Sequence, residues 1–225
     1  MPHHPTDPTG HADGPAAADL PPNHLPPNHH GHHPGFAGLG GLVAALSMTV
    51  GRQGDAELAV ELAALRPGDH VVDIGCGPGA AVRLAASKGA TVVGIDPAAV
   101  MLDVARWTTW RRSGIAWQVG AAEALPLPDA SADVVWALST VHHWPDVRAG
   151  VAEVARVLRP GARFVAIEHE ADPGAGRHGS HGWTGAQADT FAGLCWDAGL
   201  ADADVSTHTG PKRPALAVVA HRPAR

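Results

Sequence analysis

The chain of 225 residues contains no apolar run long enough to cross a bilayer. The longest near its start, Leu39 to Val50, is broken by Gly40, Gly41 and Ser47, whereas a spanning helix takes about 20 apolar residues. The charged opening of an export signal is missing too, because that run follows a stretch of histidine and proline. Neither membrane insertion nor export is expected. Cysteine is scarce: Cys76 and Cys195 lie far apart in unlike contexts, too few for a disulfide framework and without metal-ligand spacing. That usage fits a reducing, cytoplasmic location. Basic charge is also short, with 16 Lys and Arg against 22 Asp and Glu and a net charge of −6. Such a balance offers no footprint for nucleic acid.

What is present divides in two. Residues 1–34 are written in Pro, His, Gly, Ala, Asn and Asp, with "LPPNHLPPNHHGHHPG" nearly repeating itself, and cannot repay their ordering entropy by burying apolar surface. They read as a disordered tail. It holds eight of the sixteen histidines, a density at which imidazoles can bind divalent metal weakly, although low-complexity drift explains it as well. Residues 35–225 read as one globular domain, with 36–66 as an N-terminal helical cap in which Asp55 is the N-cap candidate before Leu58, Leu62 and Leu65.

From His70 onward strand and helix signals alternate. Strands are expected at His70–Ile74, Thr91–Ile95, Ile115–Val119, Ala132–Leu138 and Arg163–Ile167. Helices are expected up to Gly89, over Ala98–Arg112, over the segment carrying Val147, Val151, Val154 and Leu158 and stopping at "RPGA", and over Gln187–Ala198. Asp129 and Asp133 read as turn and strand-entry residues. The alternation predicts a parallel sheet covered on both faces, closed by an antiparallel C-terminal hairpin around the Gly-Pro-Lys-Arg turn.

The chemistry is concentrated in "HVVDIGCGPGAAVRLAASKGATVVGIDPAAVML", His70 to Leu102. A strand feeding a glycine turn feeding a helix sets unpaired backbone N–H groups at the carboxyl edge of the sheet, where ligands of such sheets bind. Asp96 ends the neighbouring strand, where a carboxylate can accept both hydroxyls of a ribose. The two features point to an adenosine-containing cofactor. A phosphate-binding P-loop is excluded, since no Gly-Lys-Ser/Thr follows. A dinucleotide stays open on the loop alone, because Gly75, Gly77 and Ala80 satisfy Gly-x-Gly-x-x-Gly/Ala.

The surrounding text narrows the choice. "DIGCGPG", with Asp73 just inside the turn, resembles motif I of class I S-adenosylmethionine-dependent methyltransferases. "VVGIDPAAVMLDVAR", "GAAEALPLPDASADVVWALSTVHHWPD" and "EVARVLRPGARFVAIE" resemble that family's following motifs, in order, from about Asp55 to Ile167. The likeness is to the small-molecule branch that includes the ubiquinone and menaquinone biosynthesis enzymes. It implies a Rossmann-like three-layer α/β fold with a seven-stranded, mostly parallel sheet and an antiparallel C-terminal edge strand. It further implies S-adenosylmethionine as cofactor: Gly75, Cys76 and Gly77 beneath its methionyl part, Asp73 at the amino group, Asp96 on the ribose, Pro97 and Met101 against the adenine, Ala122 and Glu123 at the adenine edge. Where many relatives read Gly-Asp-Ala-Glu this chain has "GAAE", so Ala121 offers the adenine no side-chain oxygen.

Methyl transfer is an in-line displacement needing chiefly proximity and orientation, with a base only for a protonated acceptor. His142 and His143, in "STVHHW" after the fourth strand, are the candidate catalytic residues. Trp107, Trp110, Trp144 and Trp183 are candidates for an aromatic acceptor pocket, against a core role. Glu168, His169 and Glu170 are a weak candidate metal set, and the adopted reading is metal-free. "EHEADPGAGRHGSHGWTG", Glu168 to Gly185, reads as a mobile lid. The acceptor implied is a small molecule, with no nucleic acid, since the Asn-Pro-Pro-Tyr type of motif for base methylation is absent. The rival readings are a non-catalytic ligand- or metal-binding relative and, less favoured, a nicotinamide-dependent oxidoreductase.

Overall fold

A computed structural model describes residues 53–171, 182–209 and 213–224. The expected tail and most of the expected lid lie outside them. Seven strands form one sheet: β1 His70–Ile74, β2 Thr91–Asp96, β3 Ile115–Val119, β4 Ala132–Leu138, β5 Leu158–His169, β6 Ala201–His208 and β7 Ala215–His221, in the order β3-β2-β1-β4-β5-β7-β6. The first five are mutually parallel, and β7 runs antiparallel between β5 and β6. The C-terminal hairpin therefore supplies the antiparallel edge, with β6 outermost.

Helices α1 Gln53–Leu62, α2 Ala80–Ser87 and α3 Ala99–Thr109 cover one face, and α4 Val147–Val157 and α5 Gly185–Asp197 the other. β1 and β4 feed both layers. Val71, Val134 and Trp136 pack with Ala59, Val82 and Ala85, while Val72, Ile74 and Val135 pack with Val151, Val154 and Phe191. A strand buried on both sides reads as an unbroken apolar run, which is why "VVWAL" showed no alternation. Side chains such as Trp136, with no accessible surface, each contribute roughly 1.5–3 kcal/mol by burial.

Local chemistry sets the helix starts. Thr184 and Gln187 form a capping box, Gln187 Oε1 accepting from the Thr184 N–H at 2.8 Å and Thr184 Oγ1 from the Gln187 N–H at 3.3 Å. So α5 begins two residues before the sequence expectation. Asp146 caps α4 by accepting from the Ala149 N–H at 3.0 Å. Asp55 is a correction: it lies inside the first turn of α1 rather than at its cap.

The α4–β5 junction is a second correction. Leu158 begins β5 instead of ending the helix, and Arg159 to Ala162 are absorbed as an irregularity. Ala132 pairs with Leu158 but Val134 with Arg163. Gly161 has φ 79° and its N–H reaches the carbonyl of Arg222 at 2.7 Å, while the Arg222 N–H reaches Ala162 at 2.9 Å.

The two ends of the sheet differ in character. At the N-terminal end of the parallel strands, Asp133 accepts from Arg159 at 2.6 Å and from the His70 N–H at 2.9 Å. Asp69 pairs with Arg163 at 3.3 Å. The Arg222 guanidinium donates to the carbonyls of Ala155, Arg156 and Leu158, closing the C-terminus of α4 with a cation. The carboxyl ends carry the glycine loop and the histidines.

Candidate active site

After β1 the chain turns through three left-handed glycines, Gly75 at φ 67°, Gly77 at φ 52° and Gly79 at φ 80°, conformations that only glycine adopts without cost. They serve different ends. A Cβ on Gly75 would collide with the Thr140 side chain, and one on Gly79 with the ring of Trp117. A Cβ on Gly77 would meet nothing within 4 Å. Two of these glycines thus admit neighbouring side chains, and the third opens onto empty space. Trp117, on β3, also lies over Gly94 of β2 and is anchored by its Nε1–H to Thr109 Oγ1 at 3.2 Å. This indole, tucked under the loop and the start of α2, went unremarked in the sequence.

Asp96 holds the loop from the next strand. Its Oδ2 accepts from the Gly77 N–H and its Oδ1 from the Ala98 N–H, both at 2.8 Å. Asp73 and Asp96 are both buried, at 3% and 7% exposure, at the same end of adjacent parallel strands. Asp55, Asp73, Gly75, Cys76, Pro78, Ala80, Ala81 and Leu138 line a cleft that opens to solvent. The Cys76 thiol is pushed well above the ordinary range by burial and then by Asp73 and Asp96, so it is a neutral wall of the pocket rather than a nucleophile.

Beyond β4 the chain enters a short 3₁₀ turn, Val141–His143. His142 is buried, and its Nδ1 lies 2.7 Å from Oε2 of Glu168, whose side chain has no accessible surface. The His142 backbone N–H donates to the other oxygen, Oε1, at 3.2 Å. Glu168 sits near the end of β5, the strand beside β4, so the sheet register delivers the carboxylate to the histidine. The donor and acceptor roles in this contact follow the tautomer of the imidazole. His143 is exposed, with its ring centroid 4.0 Å from that of His142. Sequence reasoning had Glu168 only as a metal candidate; the adjacency of β4 and β5 was the available signal.

The other expected residues are dispersed. Pro97 is exposed, and Met101 is buried with Val104 and Ala98 on α3. Ala122 is buried, while Glu123 Oε1 accepts from the Asp146 N–H at 3.2 Å, toward the start of α4. The four tryptophans do not form one pocket. Trp107 and Trp110 are 73% and 72% exposed on α3, whereas Trp144 and Trp183 fill the α4–α5 layer. Glu168 and His169, neighbours on a strand, face different partners, His169 Nε2 lying 3.5 Å from Asp55 Oδ2. Among the described residues no three His, Cys, Asp or Glu side chains gather as a metal site, and no helix is long and apolar enough to cross a membrane.

Residues 72–166, from the third residue of β1 into β5, match a family model described as a methyltransferase domain. This part of the chain is similar to that family, over less than half of the chain's length. It is 41% identical over 104 residues to the 27-O-demethylrifamycin SV methyltransferase of Amycolatopsis mediterranei, an alignment covering 44% of this chain and 38% of that protein. Over 109 residues it is 36% identical to the ubiquinone/menaquinone biosynthesis C-methyltransferase of Rubrivivax gelatinosus, covering 48% and 43%. The match therefore spans less than half the length of these curated relatives. Among solved structures, a SAM dependent methyltransferase from Aquifex aeolicus superposes with a TM-score of 0.67 at 18% identity, covering 80% of this chain and 98% of that one. At that identity the likeness speaks for the fold alone.

Proposed function

We propose that the protein is an S-adenosylmethionine-dependent methyltransferase acting on a small molecule whose reacting group carries a proton to be removed. The observation that carries the reading is the pair of buried carboxylates, Asp73 and Asp96, on adjacent strand ends around a glycine turn whose Gly77 opens onto space. The chemistry of the donor set fits this cofactor. Asp73 suits an ammonium and Asp96 a ribose diol, and among the described residues no cationic side chain lines the pocket to receive phosphate. When bound, S-adenosylmethionine supplies a methyl group made electrophilic by its sulfonium.

Everything else falls to the chain's own residues. Asp73 and the left-handed glycines hold the amino-acid end, and Asp96 orients the ribose while keeping the loop closed through Gly77. Pro97, Met101, Ala122 and Glu123 flank the adenine. Glu168 fixes the His142 tautomer and would stabilise the imidazolium formed when Nε2 takes the acceptor's proton. His143 stands at the solvent side to orient the acceptor. The printed names of the relatives, an antibiotic O-methyltransferase and a quinone C-methyltransferase, support a small organic acceptor. Two buried free thiols accord with a reducing cytoplasm.

The test is calorimetric titration of the full chain with S-adenosylmethionine and with NAD, alongside Asp96→Asn. Binding of the first that weakens in the variant supports the proposal and justifies an acceptor screen. Binding of NAD instead would overturn it, and turnover of no acceptor despite cofactor binding would favour a non-catalytic relative.

A further inference from the structure

Helix α3 buries Met101, Leu102, Val104, Ala105 and Thr109 and turns Trp107 and Trp110 outward, at 73% and 72% exposure. The two indoles stand at i and i+3, one turn apart on the same side of the helix. Arginines surround them. Arg106, Arg111 and Arg112 fall with the tryptophans in one short stretch, "RWTTWRR", and the Arg111 guanidinium lies 4.3 Å from the Trp110 ring centre. Arg83 of α2 reaches Thr108 Oγ1 of the same helix at 3.4 Å and lines a cleft with Arg112. Asp103 pairs with Arg106 at 3.1 Å and Glu57 shares the cleft of Arg83, so among the described residues four arginines meet two acids here. The local sign is opposite to the net charge of −6 on the chain. Cations at a helix C-terminus answer its dipole, but that gives no reason to hold two indoles in water.

We propose that this face of α3 docks the protein on an anionic lipid surface, with Trp107 and Trp110 entering the headgroup layer and Arg106, Arg111 and Arg112 meeting lipid phosphates. Tryptophan favours that layer because its ring is apolar and its N–H polar, and arginine lays an apolar stem along the boundary while its guanidinium stays with charge. The contact is superficial. Among the described residues no helix is long and apolar enough to cross a membrane, so α3 lies along the surface rather than through it. A second copy of the chain fits this face less well, since a two-fold contact would set the arginines of one copy against those of the other. A protein partner also fits less well. Two indoles bring roughly 300–500 Å², short of the roughly 800 Å² that each side of a stable protein contact contributes.

The experiment is flotation of the full chain with vesicles of phosphatidylcholine alone and of phosphatidylcholine mixed with phosphatidylglycerol in equal parts. Binding is expected to the mixed vesicles and not to the neutral ones, falling about tenfold or more when salt is raised from about 0.1 M to about 0.5 M. Joint Trp107→Ala and Trp110→Ala is expected to weaken it about tenfold or more. Joint Arg106→Gln, Arg111→Gln and Arg112→Gln is expected to weaken it about a hundredfold. Trp196, 53% exposed on α5 across the sheet, is the control, and Trp196→Ala is expected to bind like the parent. Equal binding to both kinds of vesicle, binding to neither, or a loss in Trp196→Ala matching that of the α3 pair overturns the assignment. So does a concentration-dependent dimer in sedimentation that the α3 substitutions dissolve, which would make the face a contact between copies. Tighter binding of single-stranded oligothymidylate than of mixed vesicles overturns it as well. Thermal melting checks that each variant folds, and the lipid and salt comparisons use the parent chain alone, so they stand even if a variant does not.

Discussion

Removing the charge from Glu168 tests the acceptor half of the site. Its carboxylate, without accessible surface, lies 2.7 Å from His142 Nδ1 and accepts from the His142 backbone N–H at 3.2 Å. Glu168→Gln keeps the shape and one oxygen but loses a charge-assisted bond, which costs about 1.5–3 kcal/mol. At roughly 2–4 °C per kcal/mol for a chain of this size, the melting temperature should fall by about 3–12 °C. His142→Ala should cost more, about 3–5 kcal/mol, because it leaves a buried carboxylate without its imidazole. His142→Leu combined with Glu168→Leu removes both polar partners and should be less destabilised than the sum of the single changes. In turnover, Glu168→Gln should lower kcat by a factor on the order of 10²–10⁴ through loss of tautomer control, with the affinity for S-adenosylmethionine unchanged. Urea melts, calorimetry and steady-state rates give the three readouts. A Glu168→Gln protein that melts and turns over like its parent, or one that loses cofactor affinity in proportion to rate, would refute the dyad.

Gly77→Ala and Gly79→Ala should part company. Gly79→Ala combines a φ of 80° with collision against Trp117 and should cost about 2–5 kcal/mol of stability. Gly77→Ala should cost about 1 kcal/mol for its φ alone but weaken S-adenosylmethionine by about tenfold or more, because the methyl enters the space beside the loop; chemical melts and calorimetry distinguish the two. Glu153, hydrogen-bonded by Arg156 at 2.7 Å, is held below the usual carboxylate range by that partner. Its stabilising contribution is present above an unfolded pKa of about 4.3 and is lost as pH falls through the lower folded value. Glu153→Gln should therefore be less stable than the parent at pH 7 and converge with it toward pH 3 in urea titrations. Burial pushes the Cys195 thiol up to about 12 and raises Cys76 as well, so a thiol-labelling reagent at pH 8 should modify neither cysteine in the native protein and both in denaturant. Rapid native labelling of Cys76 would contradict the closed wall described for the pocket.

Strands β1, β3 and β4 could be read from the sequence to the residue, because short β-branched runs between turn signals have few other uses. The α4–β5 junction could not. Leu158 continues the apolar stripe of the helix, and only the later pairing of Gly161 and Ala162 with Arg222 reveals that Arg-Pro-Gly-Ala is a kink within a strand. The cofactor end was legible where chemistry is local, since Asp73, the glycines and Asp96 sit within one strand–helix–strand unit. His142 was visible by type, but its partner Glu168 is 26 residues away and depends on which strands are neighbours. Asp55 was misplaced for a similar reason: at the head of a helix an aspartate reads as a cap, and its true company, Ser139 and His169, comes from the far side of two strand ends. The tryptophans were legible only as aromatic mass, because exposure on α3 or burial under α4 and α5 is decided by the tertiary arrangement.

The polarity of the sheet has a consequence for how such a protein can change. All the groups assigned to chemistry lie at one end of the strands, while the guanidinium ties of Arg159, Arg163 and Arg222 lie at the other, a full strand length away. Substitutions at that far end can strengthen or loosen the domain without displacing a reacting group, and loops at the near end can be exchanged to suit a new acceptor without weakening those ties. Thermal tolerance and acceptor choice are thus adjustable by separate sets of mutations, which makes the far edge the place to stabilise this protein before its near edge is redesigned.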